Sequence, residues 1–196
     1  MTARAQAAQE TRSALIEAGL EIAEQHGLAG MSVNRVVAAA GVAKGTFYVH
    51  FPDRAAFLSA LHQRFRDTVN AALAAAVDGL PPGRAHLQRS MEGYLDVCLE
   101  YRGVKALLLE ARNNSGVAMD AAARTAEFVA LAEPDLRAMG WPDASATARL
   151  VIAMGSELAL GELLSGVRDA EGRRILWQLL DRLDLVRGTA AGEPRV

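Results

Sequence analysis

Apolar residues recur at three- and four-residue spacing through most of the chain. Nowhere do β-branched and aromatic residues alternate with polar ones for long enough to make a strand. The pattern predicts an all-α protein. Phe57, Leu58, Leu61, Phe65, Val69, Leu73 and Val77 form one such stripe, so a long helix capped by Asp53 should run to about Asp78. Leu80-Pro81-Pro82-Gly83 is the clearest break in the chain. Beyond it a helix is expected over about Arg84 to Glu100, then a bend at Gly103 and another helix through Arg112. After a loop at Asn113-Asn114-Ser115-Gly116, a helix should start near Ala118 and kink or restart at Pro134. Gly140-Trp141-Pro142 reads as a loop, and Asp143 or Ser145 as the cap of the next helix. The last two helices should cover about Ala144 to Ser165 and about Ala170 to Leu185. Residues 1–10 and the Gly- and Ala-rich residues 187–196 are expected as flexible tails.

The stretch Met31 to Arg54, MSVNRVVAAAGVAKGTFYVHFPDR, carries most of the functional signal. Ser32 is a good N-cap for a short apolar helix from Val33 to Ala40, and Gly41 can take the left-handed conformation that ends it. A second helix restarts at Lys44 and stops near Phe51, because Pro52 cannot continue it. Two short helices joined by a glycine-containing turn form a helix-turn-helix. Between Glu24 and Asp53 there is no Asp or Glu, while His26, Arg35, Lys44 and His50 fall inside. A surface that approaches phosphates cannot carry carboxylates. The competing explanation is a neutral, Ala-rich pair of core helices, but Lys44, Thr46, Tyr48 and His50 are an odd set to bury together.

At these residues the chain resembles a TetR-family transcriptional regulator. The resemblance rests on Ser32-Val33, Val36, Ala39-Ala40-Gly41-Val42, Lys44-Gly45-Thr46-Phe47-Tyr48, His50-Phe51 and Arg54. The upstream helix adds Arg12, Leu15-Ile16, Ala18, Leu20, Glu24 and Gly27, so the match covers roughly residues 11 to 58. Two positions depart from that family's pattern: Ala43 stands where it has a capping serine, and Ala23 replaces an aromatic residue of the first helix. The small core must then be filled otherwise, by Phe47 and Phe57.

The resemblance implies a three-helix DNA-binding domain over residues 11–52 and a helical effector-binding and dimerisation domain over residues 53–186, the latter opening on the connecting helix. It places Ser32, Arg35, Lys44, Gly45, Thr46, Tyr48, His50 and Arg54 at DNA. Tyr48 and Arg54 would contact phosphate, and the leading residues of the recognition helix would reach base edges. The partners implied are a palindromic DNA operator, a second copy of the chain and a small-molecule effector. Helical spacing puts Met91, Tyr94, Leu95 and Cys98 on one side of their helix, and Leu107, Leu108 and Ala111 on one side of the next. These are ordinary core residues, and the resemblance makes them the effector pocket as well, with Tyr94, Arg112, Asn113, Phe128 and Glu157 as polar or aromatic contacts. Val151, Gly155 and Leu158, with Leu176, Leu179 and Leu183, are implied as the dimer interface; the same faces could instead complete the monomer's core.

Composition changes the picture only by exclusion. In 196 residues, 51% hydrophobic, there is ample material for a small domain and a larger one. A lone cysteine, Cys98, the lack of a hydrophobic signal core in MTARAQAAQE, and the lack of an apolar run of membrane-spanning length suit a cytoplasmic protein away from membranes. Residues 1–66 hold seven Lys or Arg against five acids, while the whole chain holds 21 against 23, so the basic part is N-terminal. An enzyme is not expected, nor a cofactor or metal. His26, His50, His62 and His86 are scattered, Glu157 and Glu162 diverge around one helix axis, and Gly41-Val42-Ala43-Lys44-Gly45 lacks phosphate-loop spacing. A helical protein-interaction module is the remaining alternative, and it leaves the acid-free segment unexplained.

Overall fold

The computed structural model describes residues 2–103 and 115–190, and every regular element among them is an α-helix. These are α1 (Ala3–Gly30), α2 (Val33–Ala39), α3 (Lys44–His50), α4 (Arg54–Val77), α5 (Arg84–Glu100), α6 (Ser115–Ala138), α7 (Ala144–Ser165) and α8 (Ala170–Ala190). Residues 3–10, expected as a tail, are the opening turns of α1, and α8 continues past Leu185. Ser115 and Gly116, expected in a loop, open α6. Pro134 lies inside that helix without ending it. The carbonyl that loses its helical partner there belongs to Ala130, an exposed residue. Leu107, Leu108, Ala111, Arg112 and Asn113 lie outside the described residues.

In the small N-terminal core Ala23 is fully buried, and Phe47, Phe51 and Phe57 are the large side chains buried with it, all at 2% exposure or less. Their ring centroids lie 5.0–5.4 Å apart in tilted and edge-to-face pairs, which welds α3 to the start of α4. Gly19 permits this approach: a Cβ there would lie 2.6 Å from the Phe57 ring. Burying one such phenylalanine stabilises the fold by roughly 1.5–3 kcal/mol, so the aromatic trio is a principal reason why α3 is held against α1 and α4.

α4 belongs to both halves. Its Phe57 and Leu61 lie in the N-terminal core, and its later residues pack on α5. α5 sits centrally against α4, α6 and α7. Gly93 lets α4 approach closely, since its missing Cβ would touch Ala76, and Gly155 accommodates Met91. Buried polar groups lock the ends of these helices. Glu162 of α7 receives Arg173 of α8 in a two-pronged pair at 2.7 and 2.7 Å, and Arg173 also reaches Asp96 of α5 at 2.6 Å. Burial opposes the charge on Arg173, but its hydrogen bonds to Glu162 and Asp96 outweigh that and raise its pKa. At the other junction, the Gly103 N–H donates to Glu24 Oε2 at 2.8 Å, tying the chain after α5 to α1.

Candidate nucleic-acid interface and interior cavity

The turn between α2 and α3 is built from its own sequence. Ser32 Oγ accepts from the Arg35 N–H at 3.3 Å, the expected cap. Gly41 takes φ 67°; its N–H donates to Ala38 O, and that of Val42 to Val37 O at 3.0 Å. This pair of bonds is a Schellman motif, which requires the left-handed residue at Gly41. Ala43 caps α3 without any side-chain hydrogen bond, and Asp53 caps α4 through the Ala56 N–H at 2.7 Å.

With Phe47 and Phe51 turned inward one turn apart, the opposite side of α3 faces solvent. Lys44 and Gly45 are exposed, Tyr48 is 50% exposed and Val49 80%, while Thr46 and His50 are half-buried. Lys44 and Tyr48 stand one turn apart on this outer side, as do Gly45 and Val49. The sequence reading missed Val49. Its signal was its place between two inward phenylalanines, which forces it out, and an exposed apolar side chain there suits contact with a thymine methyl. Tyr48 rests edge-on against Phe47 with its centroid 5.4 Å away, so packing positions a ring that is also accessible. Ser32, Arg35 and Arg54 are exposed. Arg35 folds back to donate to the Gly30 carbonyl at 3.2 Å. Arg54 is a cation in the first turn of a helix, where the helix dipole disfavours it unless an anion lies nearby.

In the C-terminal half a cavity of about 610 Å³ opens between α4, α5, α6 and α7. Met91, Tyr94 and Phe128 line it, whereas Leu95 and Cys98 are buried outside its wall and Glu157 stands exposed on α7. Leu108 and Arg112 lie outside the described residues. Leu73, Val77, Leu87, Leu131 and Ile152 make most of the remaining wall apolar, and the Tyr94 and Phe128 rings meet edge-to-face at 5.1 Å. The polar lining was not foreseen: His86 with Asp135, and Arg124 with Glu127. His86 Nδ1 is 2.9 Å from Asp135 Oδ2, and Arg124 Nη1 is 3.3 Å from Glu127 Oε2. No spacing rule signals the first pair, because its members come from different helices.

The expected interface residues divide. Val151, Gly155 and Leu176 are buried within the monomer, Gly155 against Met91, which corrects their placement on an outer face. Leu158 is half-buried, Leu179 is 46% exposed, and the side chain of Leu183 lies outside the described residues. The exposed apolar stripe runs one position aside, through Leu150, Leu160 and Leu164 of α7 and Ile175 and Leu179 of α8. Among the described residues no helix is long and apolar enough to cross a membrane, and no cluster of His, Cys, Asp and Glu is placed to hold a metal ion.

Residues 15–61 match the family model of bacterial regulatory proteins of the tetR family. Among curated proteins the chain is similar to the HTH-type transcriptional repressor LfrR of Mycolicibacterium smegmatis, with 33% identity over 91 residues, 46% of this chain and 47% of that protein. The match thus spans about half the length of that relative. Among solved structures, the fold is similar to one from Rhodococcus sp. assigned to the TetR family of transcriptional regulators, with TM-score 0.76 and 24% identity over 89% of this chain and 99% of that one. It is also similar to the multidrug binding protein EbrR complexed with imidazole, with TM-score 0.68 and 23% identity over 86% and 93% of the two chains.

Proposed function

We propose that the chain, whose residues 15–61 match the tetR family of bacterial regulatory proteins, is a DNA-binding transcriptional repressor of that family, holding a palindromic operator as a homodimer and releasing it when a small molecule enters the cavity. The observation that carries this reading is the outer side of α3: Lys44, Gly45, Tyr48 and Val49 exposed, with no carboxylate in the sequence from residue 25 to 52. The Lys44 and Gly45 N–H groups at the start of α3 favour phosphate, and the Lys44 and Arg54 side chains add charge-assisted contacts. Ser32, Arg35, Thr46, Tyr48 and His50 complete the surface, with Gly45 allowing close approach.

In this reading residues 11–52 bind DNA and residues 53–186 take the effector and the second subunit. The stripe of Leu150, Leu160, Leu164, Ile175 and Leu179 supports a two-fold partner, since five exposed aliphatic side chains on two neighbouring helices lose water contact when each meets its copy. Two recognition helices would then lie about 34–36 Å apart, or a multiple of that, to enter successive major grooves. A physical link between the halves is α4. Phe57 anchors its start in the N-terminal core, and Leu73, sixteen residues or about 24 Å further along, lines the cavity. A ligand that displaces the distal part of α4 displaces the floor of α3. Coupling of this kind amounts to roughly 1–3 kcal/mol and acts equally on both binding events.

The test is selection of DNA from a random pool by the purified protein, followed by titration of the selected duplex and sedimentation of the complex. A palindromic consensus bound by two protomers is expected. Lys44→Ala and Arg54→Ala should each weaken binding to all sequences and flatten the salt dependence by about one unit. Thr46→Ala should change sequence preference. Recovery of no consensus, or a monomer that DNA leaves unchanged, overturns the reading.

A further inference from the structure

The charged groups and the imidazole of the cavity wall stand at its two ends, while Asn70, Ser90 and Ser156 supply neutral polar groups elsewhere on it. Arg124 and Asp135 lie eleven residues apart on α6, about 16 Å along the helix, with the Tyr94–Phe128 pair and aliphatic side chains between. The Asp135 end is closed by hydrogen bonds. Its carboxylate, 1% exposed, accepts from the Gly83 N–H and from His86 Nδ1, both at 2.9 Å. A carboxylate only accepts, so Nδ1 carries the proton and Nε2 is the ring nitrogen left for a ligand.

The Arg124 end is not closed. The Arg124 side chain is 14% exposed, and its guanidinium lies 4.4 Å over the Phe128 ring. Its partner Glu127 is 50% exposed, and Glu127 also stands 3.8 Å from Arg66 of α4. The Arg66 Nε is buried and has no hydrogen-bond partner among the described residues. Two guanidinium groups therefore share one carboxylate that water screens, while Arg124, itself mostly buried, lines a largely apolar cavity. Charge in such a space attracts an opposite charge far more strongly than it would in water.

We propose that the cavity selects elongated, largely apolar carboxylic acids, the ligand carboxylate meeting Arg124, its body lying along Tyr94 and Phe128, and a hydroxyl at its far end, where present, hydrogen-bonding with His86 Nε2. This rests on the reading of the cavity as the effector site. It goes further in assigning a charge to the ligand and a direction to its binding. Glu127 competes with the ligand for Arg124.

Calorimetric titration of the full-length protein with decanoate, decan-1-ol and decyltrimethylammonium, each below its micellar concentration, tests the assignment. Of these three decanoate should bind tightest, and 10-hydroxydecanoate should bind tighter than decanoate. Arg124→Gln should weaken decanoate by about 10- to 100-fold, the worth of a charged hydrogen bond, and leave decan-1-ol unchanged. Glu127→Gln, on a half-exposed side chain whose loss the fold tolerates, should act in the opposite sense and tighten decanoate severalfold. Decyltrimethylammonium binding as well as decanoate, or equal losses for acid and alcohol in Arg124→Gln, overturns the charge assignment and leaves the cavity as a ligand site. Failure of all the alkyl probes to bind a protein that still holds DNA overturns the cavity reading as well. Should Arg124→Gln not fold, as judged by circular dichroism, no change or a loss of decanoate affinity in Glu127→Gln refutes the proposal.

Discussion

Ala43→Ser tests the link between a local backbone feature and the DNA-facing surface. The three neighbouring helix starts are not equivalent: Ser32 and Asp53 each accept a hydrogen bond from the N–H three residues on, at 3.3 and 2.7 Å, and Ala43 makes none. The Ala43 backbone is already in the extended cap conformation, φ −72° and ψ 150°, so serine can enter without strain. Ala43 is exposed, so the hydroxyl meets no obstruction. An alanine-to-serine change at an N-cap stabilises by about 0.5–2 kcal/mol. Here the lower half of that range applies, because the Thr46 N–H already donates to the Ala43 carbonyl at 2.9 Å. In a chain of this size about 1 kcal/mol raises Tm by roughly 2–4 °C. Ala43→Asp should stabilise α3 at least as well, since a carboxylate also favours the helix N-terminus. It places negative charge where phosphate is proposed to sit, so operator affinity should fall most at low salt. Thermal melts and fluorescence anisotropy on the same two variants separate the effects. An unchanged or lower Tm for Ala43→Ser refutes the capping argument. Undiminished operator binding by Ala43→Asp removes the start of α3 from the DNA backbone.

Leu164→Glu, on a side chain 77% exposed, should separate the proposed dimer while the protomer stays folded, whereas Val151→Glu, fully buried, should unfold it. Sedimentation with circular dichroism distinguishes them, and a folded dimer of Leu164→Glu would place the interface elsewhere. Gly103→Ala would set a Cβ 2.2 Å from the Ala23 carbonyl oxygen, a backbone atom that cannot rotate away, so a loss of about 1–3 kcal/mol is expected in a denaturant melt. A wild-type midpoint would show that this junction yields without cost. Glu162→Gln leaves the buried Arg173 with only the half-exposed Asp96 as a charged partner, and removing one member of a buried pair costs about 3–5 kcal/mol. Asp96→Asn should cost much less, and equal losses for the two would show that burial does not govern the network.

The helix-turn-helix was legible residue by residue because its determinants are neighbours in the chain. Ser32 caps three residues ahead, Gly41 closes a turn over five residues, and Pro52 and Asp53 separate α3 from α4. Such contacts form between groups that the chain cannot keep apart, so composition and spacing announce them. The same holds for the limits of α5 and α7, which the apolar pattern and its breaks placed correctly.

The C-terminal half behaved differently. α7 is apolar nearly all round, and a helix without a polar face gives periodicity nothing to point with. Val151 and Leu150 are adjacent and similar, yet one is fully buried and the other 67% exposed; only the approach of α5, with Met91 against Gly155, decides between them. The Asp135 end of the cavity arises in the same way. His86 meets Asp135 across 49 residues, and Glu24 meets Gly103 across 79. What the sequence determined by itself was the local unit that caps, turns and withholds negative charge. Which side chains turn inward, which meet across helices and which line a cavity was decided by tertiary packing, because each helix offers several apolar faces and only the shape of its neighbours selects among them.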